Sequence, residues 1–197
     1  MKSIYYWFVL IVSIAVLVSS CSSEDSKTAS TDNTTSSSGG SSSTTELEGT
    51  WVSSCYQTSW DNDLYDIQSI TFTGSAFIFK WETHSDSSCA NDFATWTDTY
   101  SSFSIGDETT LDNGSTVRKI SMKVDSLEAL MQTEAAATAF NNFEYCGYTD
   151  WAINTTKAYT GRTCDDDEMW SANTSVYGVY LLDGNCVTIS KFSDSRY

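Results

Sequence analysis

A single histidine, His84, is all this chain holds, which excludes a histidine-rich metal centre. No Cys-x-x-Cys pair offers a zinc or redox site either. Proline is absent altogether, so turns fall to glycine, asparagine and aspartate. Basic side chains are scarce: Lys and Arg total 10 against 26 Asp and Glu, a formal net charge of −16. Such an acidic surface argues against nucleic acid and anionic headgroups as partners, and suits a salty or cation-rich medium. The greasiest stretch, Ile4 to Val18, falls short of the roughly 20 residues that cross a bilayer. No internal repeat is visible.

What is there begins with Lys2, that short apolar run, and then Leu17-Val18-Ser19-Ser20-Cys21. A basic start, a greasy core and small residues at a cut site describe a secretory signal. With the cysteine at the cut, the segment resembles the lipobox of bacterial lipoproteins. That resemblance implies a signal peptide over 1–20, removed before Cys21, and a diacylglycerol on the Cys21 sulfur as membrane anchor. In such lipoproteins inner-membrane retention goes with Asp after the cysteine; Ser22 here implies the outer membrane. Glu24 and Asp25 resemble the acidic export tags of some surface lipoproteins.

From Ser22 to Thr45 the chain is nearly all Ser, Thr and Gly. Such a stretch buries too little surface to offset its ordering entropy and is expected to be a disordered tether, reaching roughly 25–30 Å. Residues 21–45 thus read as lipid plus tether, and 46–197 as one folded domain with aromatics enough for a core.

The domain's pattern is β. Phe77, Phe79 and Trp81 alternate with Ile78, Lys80 and Glu82. With Ile70 and Phe72 leading into Thr73-Gly74-Ser75, residues 66–84 read as a hairpin. Further strands are expected at 48–57, 93–105, 116–124, 175–182 and 186–190, with turns at Asp112-Asn113-Gly114 and Asp183-Gly184-Asn185. One helix is expected over 126–140, from a capping box at Asp125 and Glu128 and a stripe of Leu127, Leu130, Met131 and Ala135.

At Gly49-Thr50-Trp51, beside the first strand, the chain resembles the lipocalin-like superfamily, which opens with Gly-x-Trp. The resemblance implies an all-β, antiparallel meander barrel of about eight strands with one short helix, Gly49 and Trp51 being structural and Trp51 plugging the closed end. Over most of 47–190 the chain is also similar to uncharacterised small bacterial lipoproteins, sharing that motif with Cys55, Ser85-Asp86-Ser87-Ser88-Cys89 and Cys146-Gly147-Tyr148-Thr149-Asp150-Trp151.

Beyond Cys21 five cysteines remain, an odd number in an oxidising compartment. Sequence does not fix their pairing. We expect Cys55–Cys89 and Cys146–Cys164, with Cys186 left unpaired.

Catalysis finds no support. His84 falls on the polar face of its strand and is expected at the surface, with no nucleophile elbow to accompany it. Asp165-Asp166-Asp167-Glu168 lacks the spacing of a calcium loop and reads as a solvated acidic loop, so neither metal nor cofactor is expected. Binding has more to stand on. A barrel interior lined by Phe77, Phe79, Trp81, Ile120 and Met122 suits a small hydrophobic ligand. Arg118, on the same face near a strand end, either meets a ligand carboxylate or phosphate or forms a rim salt bridge. The alternative is a ligand-free interaction module with Trp60, Tyr148 and Trp170 as anchors, its acidity facing a basic protein partner.

Overall fold

The computed structural model describes Val18–Cys21, residues 45–190 and residues 192–194. The expected signal core and nearly all of the expected tether lie outside the described residues.

The strands are β1 (Val18–Cys21), β2 (Gly49–Val52), β3 (Tyr56–Gln57), β4 (Tyr65–Thr73), β5 (Ala76–His84), β6 (Asp92–Thr110), β7 (Thr116–Met131), β8 (Thr156–Ala158), β9 (Thr163–Cys164), β10 (Asp167–Glu168), β11 (Ser175–Asp183) and β12 (Cys186–Ile189). One helix, α1 (Glu134–Asn142), follows β7. The main sheet runs β2-β4-β5-β6-β7-β11-β12 as an all-antiparallel meander that curls into a nearly closed barrel of seven strands. β1 adds to the far side of β12, with Cys21 in register opposite Cys186. The expected meander barrel with one short helix is the observed architecture.

Alternation dictates the inside. In β4 the residues Asp66, Gln68, Ile70 and Phe72 are buried while their neighbours are partly exposed. Cross-strand register stacks their inward positions into tiers that can be followed strand by strand. Phe72, Phe77, Tyr100 and Val124 form one tier, and Ile70, Phe79, Asp98 and Leu127 the next. Gln68, Trp81, Trp96 and Ala129 follow, and then Asp66, Thr83, Ala94 and Met131. Bulges let the two longest strands bend without losing this order. Asp125 is an extra residue on β7 between Val124 and Ser126, so Val124 and Leu127 both point inward. On β6 the slip between Ser101 and Ser104, with Ser102 at φ 55°, does the same for Tyr100 and Phe103.

That bulge also explains where the helix expectation went wrong. Leu127, Ala129 and Met131 continue β7 at a period of two, so the strand runs through most of the expected capping box and stripe. The helix starts only at Glu134, where the Thr133 hydroxyl accepts from the Ala136 N–H at 3.1 Å. The strand expected over 48–57 is likewise split into β2 and β3.

Trp51 is buried against this interior and its indole N–H donates to the Leu47 carbonyl at 2.9 Å. Gly49 next to it sits at φ +114°, a conformation that a side chain would strain.

Two disulfides join the cysteines as expected, Cys55–Cys89 and Cys146–Cys164. Cys186 departs from expectation: it is disulfide-bonded, and no described cysteine is free. The odd count that left it over had set Cys21 aside, whereas β1 brings the Cys21 backbone beside it. His84 is also corrected. It is buried at 4% exposure, because the register slips between Thr83 and His84 and turns both inward of solvent; its Nδ1 lies 3.3 Å from Asp92.

Candidate ligand-binding site

Of the residues expected to line a ligand, Phe77, Ile120 and Met122 are each only 1% exposed. They belong to a filled region in which Phe77 stacks among Phe72, Tyr100, Phe103 and Phe192 at ring separations of 5.1–6.3 Å. That part of the barrel is occupied by its own side chains and is core. Phe79 and Trp81, one and two tiers further along, are only partly buried, as is Trp96 opposite Trp81. The expected lining therefore divides: its Phe77 end is buried, and its Phe79–Trp81 end is only partly buried.

Arg118 is placed at the rim, on the far side of the packed region. Its Nη1 donates to Glu46 at 2.8 Å, and the Tyr180 hydroxyl donates to the same carboxylate oxygen at 2.5 Å. Of its two expected roles the rim salt bridge is the one seen here. A shallow cavity of about 170 Å³ beside it is lined by Glu46, Glu108, Arg118 and Tyr180. The Tyr180 hydrogen bond, first, and the Arg118 contacts hold the Glu46 carboxyl below its usual range.

The aromatic end is built by the excursion between β7 and β11. Beyond the reach of β11, the far half of β7 is covered instead by β8, which pairs Glu128–Leu130. Immediately after β8 the Tyr159 N–H donates to the Leu127 carbonyl at 2.8 Å, and the Leu127 N–H donates to the Thr160 hydroxyl at 2.7 Å. Leu127 is the cross-strand partner of Asp98, so this anchoring carries Tyr159 to the carboxylate. The Tyr159 hydroxyl donates to Asp98 Oδ1 at 2.7 Å. Cys146–Cys164 and a stack in which Arg162 and Lys157 both lie over the Tyr148 ring, 3.9 and 4.5 Å from its centroid, fasten the excursion. α1 closes the other wall: Asn141 brackets the Trp151 backbone with two hydrogen bonds, and Phe140 packs 5.8 Å from Trp96.

Asp98 was not singled out by sequence reasoning. The signal was present, since Trp96, Asp98 and Tyr100 alternate and the two aromatics point inward, which obliges the acid between them to do so. Burial pushes its carboxyl up to about 6, against the opposing hydrogen bonds of Tyr159 and Tyr100. Asp66, two tiers away, is raised by burial too, and accepts from the Thr83 hydroxyl at 2.8 Å. No base occurs among the inward positions of these four tiers.

The acidic run 165–168 is exposed, and among the described residues no cluster of three or more metal-ligating side chains occurs. Trp60 is exposed as expected of an anchor, but Tyr148 is held in its cation stack and Trp170 packs on Phe192. No protein-family model matches this chain, and no curated protein matches it.

Proposed function

We propose that this chain is a lipid-anchored protein of the bacterial outer membrane whose barrel domain, without catalysis, binds a small hydrophobic molecule. The ligand sits against Phe79, Trp81 and Trp96, and the membrane is met only through the lipid on Cys21. The carrying observation is the contrast within one interior. Its Phe77–Ile120–Met122 region is packed, while inward aromatics at the Trp81–Trp96 end stay partly accessible. Aromatic rings that stay partly exposed inside a barrel favour an apolar occupant, because covering the remainder removes apolar surface from water.

Titration with fatty acids and lysophospholipids, followed by tryptophan fluorescence and native mass spectrometry, tests this. A saturable fluorescence change with a one-to-one adduct is expected from at least one of these amphiphiles. No change across the micromolar to millimolar range would remove the proposal.

The anchor has its own test, since the leader and β1 overlap. Cutting before Cys21 removes Val18–Ser20, and a thioether on Cys21 excludes a disulfide from the same sulfur. Mass spectrometry of the native product should find a diacylglyceryl group on an N-terminal Cys21. A peptide in which Cys21 is linked to Cys186 and still preceded by Val18–Ser20 would contradict it.

A second reading, a ligand-free interaction module for a basic protein, is favoured by one observation. Phe143, just past α1, is 68% exposed on a strongly acidic protein. Its test is binding to a basic cell-wall hydrolase that weakens with salt and with Phe143→Ser.

A further inference from the structure

Carboxylates prevail inside the aromatic end, and the one imidazole, His84, is buried beside Asp66 rather than Asp98. Asp98 faces inward between Phe79 on β5 and Leu127 on β7, with the Trp81–Trp96 pair in the adjoining tier at a ring separation of 5.5 Å. Asp66 and Gln68 add further acceptor oxygens, and no Lys or Arg occupies these tiers. The one cation on the same strand face, Arg118, is engaged by Glu46 at the rim. Asp98 itself has a hydroxyl partner in Tyr159 and no ion-pair partner among the described residues. An ionised carboxylate among aromatic rings is poorly solvated, and an anionic ligand beside it would be repelled. Aromatic faces and a carboxylate together attract the opposite charge, since ring quadrupoles present their negative faces to a cation.

We propose that the ligand of this chamber carries a positive charge, as an amine or quaternary ammonium on an apolar or aromatic body, and that Asp98 is its counter-ion. The proposal rests on the hydrophobic-ligand reading above and adds the charge to it. Phe79, Trp81 and Trp96 take the apolar body and shield the cation, while Tyr159 fixes the carboxylate through Oδ1. The surplus of acids over bases across the chain draws cations toward the barrel before they enter it.

The test compares three small aromatic probes on the mature chain as isolated: phenyltrimethylammonium, its uncharged isostere tert-butylbenzene, and benzoate. Phenyltrimethylammonium is expected to bind at least roughly tenfold more tightly than tert-butylbenzene, with benzoate weakest. Asp98→Asn should remove the advantage of the cation and leave the neutral isostere unaffected. Should that variant fail to fold, the wild-type protein still decides through pH. Cation affinity should fall severalfold between pH 7.5 and 5 as Asp98 takes up a proton, and tert-butylbenzene should not respond. The other titratable groups facing Asp98 are Tyr100 on its own strand, Tyr145 and Tyr159, all raised by burial and so neutral throughout this window. Asp66 is raised as well and acts with the same sign; because the buried His84 lies beside Asp66, the pH series is repeated with His84→Gln, where the same fall is expected. Equal or tighter binding of benzoate or tert-butylbenzene, or a flat pH response, overturns the assignment of charge. If these probes fail but a fatty acid binds, only the charge falls. If nothing apolar binds, the chamber falls with it.

Discussion

Tyr159 and Asp98, 61 residues apart, meet at 2.7 Å inside the barrel, the hydroxyl donating to the carboxylate. That contact joins the excursion after β8 to the middle of β6, and it depends on Tyr159 and Thr160 being clipped to the Leu127 backbone. Tyr159→Phe should cost about 1–2 kcal/mol, the loss of one hydrogen bond to a poorly solvated acid. Chemical denaturation would read it. An unchanged midpoint would mean that Asp98 finds its donor elsewhere.

Asp98 also sets a pH dependence whose direction is unusual for an acid. Its folded pKa of about 6 lies above the ordinary carboxylate value, because burial disfavours the charge. Below the unfolded value both states are protonated and nothing is lost. Between roughly pH 4 and 6 the unfolded chain releases the proton that the folded chain keeps, so stability declines as pH rises and then levels. Glu46, Asp86 and Asp150, all lowered, act in the opposite sense. The comparison that isolates Asp98 is therefore wild type against Asp98→Asn. The variant should be more stable by an amount on the order of 1–2 kcal/mol at pH 7, and the gap should close by pH 4. A gap independent of pH would show that Asp98 titrates normally.

Arg118 and Glu46 clasp the start of the domain to β7 at 2.8 Å, with both side chains some two-fifths exposed. An ion pair so open to solvent contributes little, because water screens both charges. Arg118→Met should shift stability only slightly, and should leave the affinity of any apolar ligand unchanged, anionic ones included. Loss of anion binding in this variant would give Arg118 the ligand role instead.

The two described bridges are expected to matter more. Cys146–Cys164 closes a separation of 18 residues and Cys55–Cys89 one of 34. Chain entropy alone gives about 3 and about 4 kcal/mol respectively. Replacing Cys146 and Cys164 by serine should also loosen the excursion that carries Tyr159. Raised hydrogen exchange over 143–170, ahead of the rest of the barrel, would register this, whereas uniform exchange would not.

How far the sequence could be read follows from which forces are local. The β4–β5 hairpin was legible because Phe72, Phe77, Phe79 and Trp81 alternate on either side of a Gly74 turn. Trp51 was legible through its motif, and two bridges through their place in the chain. The end of β7 was not. A single extra residue, Asp125, resets the phase of the strand, and Leu127-Leu130-Met131 then mimics a helical stripe. His84 looked polar-faced until a register slip enclosed it, and Cys186 looked left over until β1 lay beside its strand. Asp98 was readable in parity yet invisible in importance, since nothing local says that Tyr159 will reach it.

Where an apolar ligand sits in the barrel can be measured directly. A brominated acyl probe quenches only tryptophans close to it, so its effect on the native protein locates the ligand. Strong quenching in the wild type that largely disappears when Trp81 and Trp96 are both replaced by phenylalanine is the expected result. Quenching that persists undiminished in that double variant, or none at all in the wild type, would contradict it.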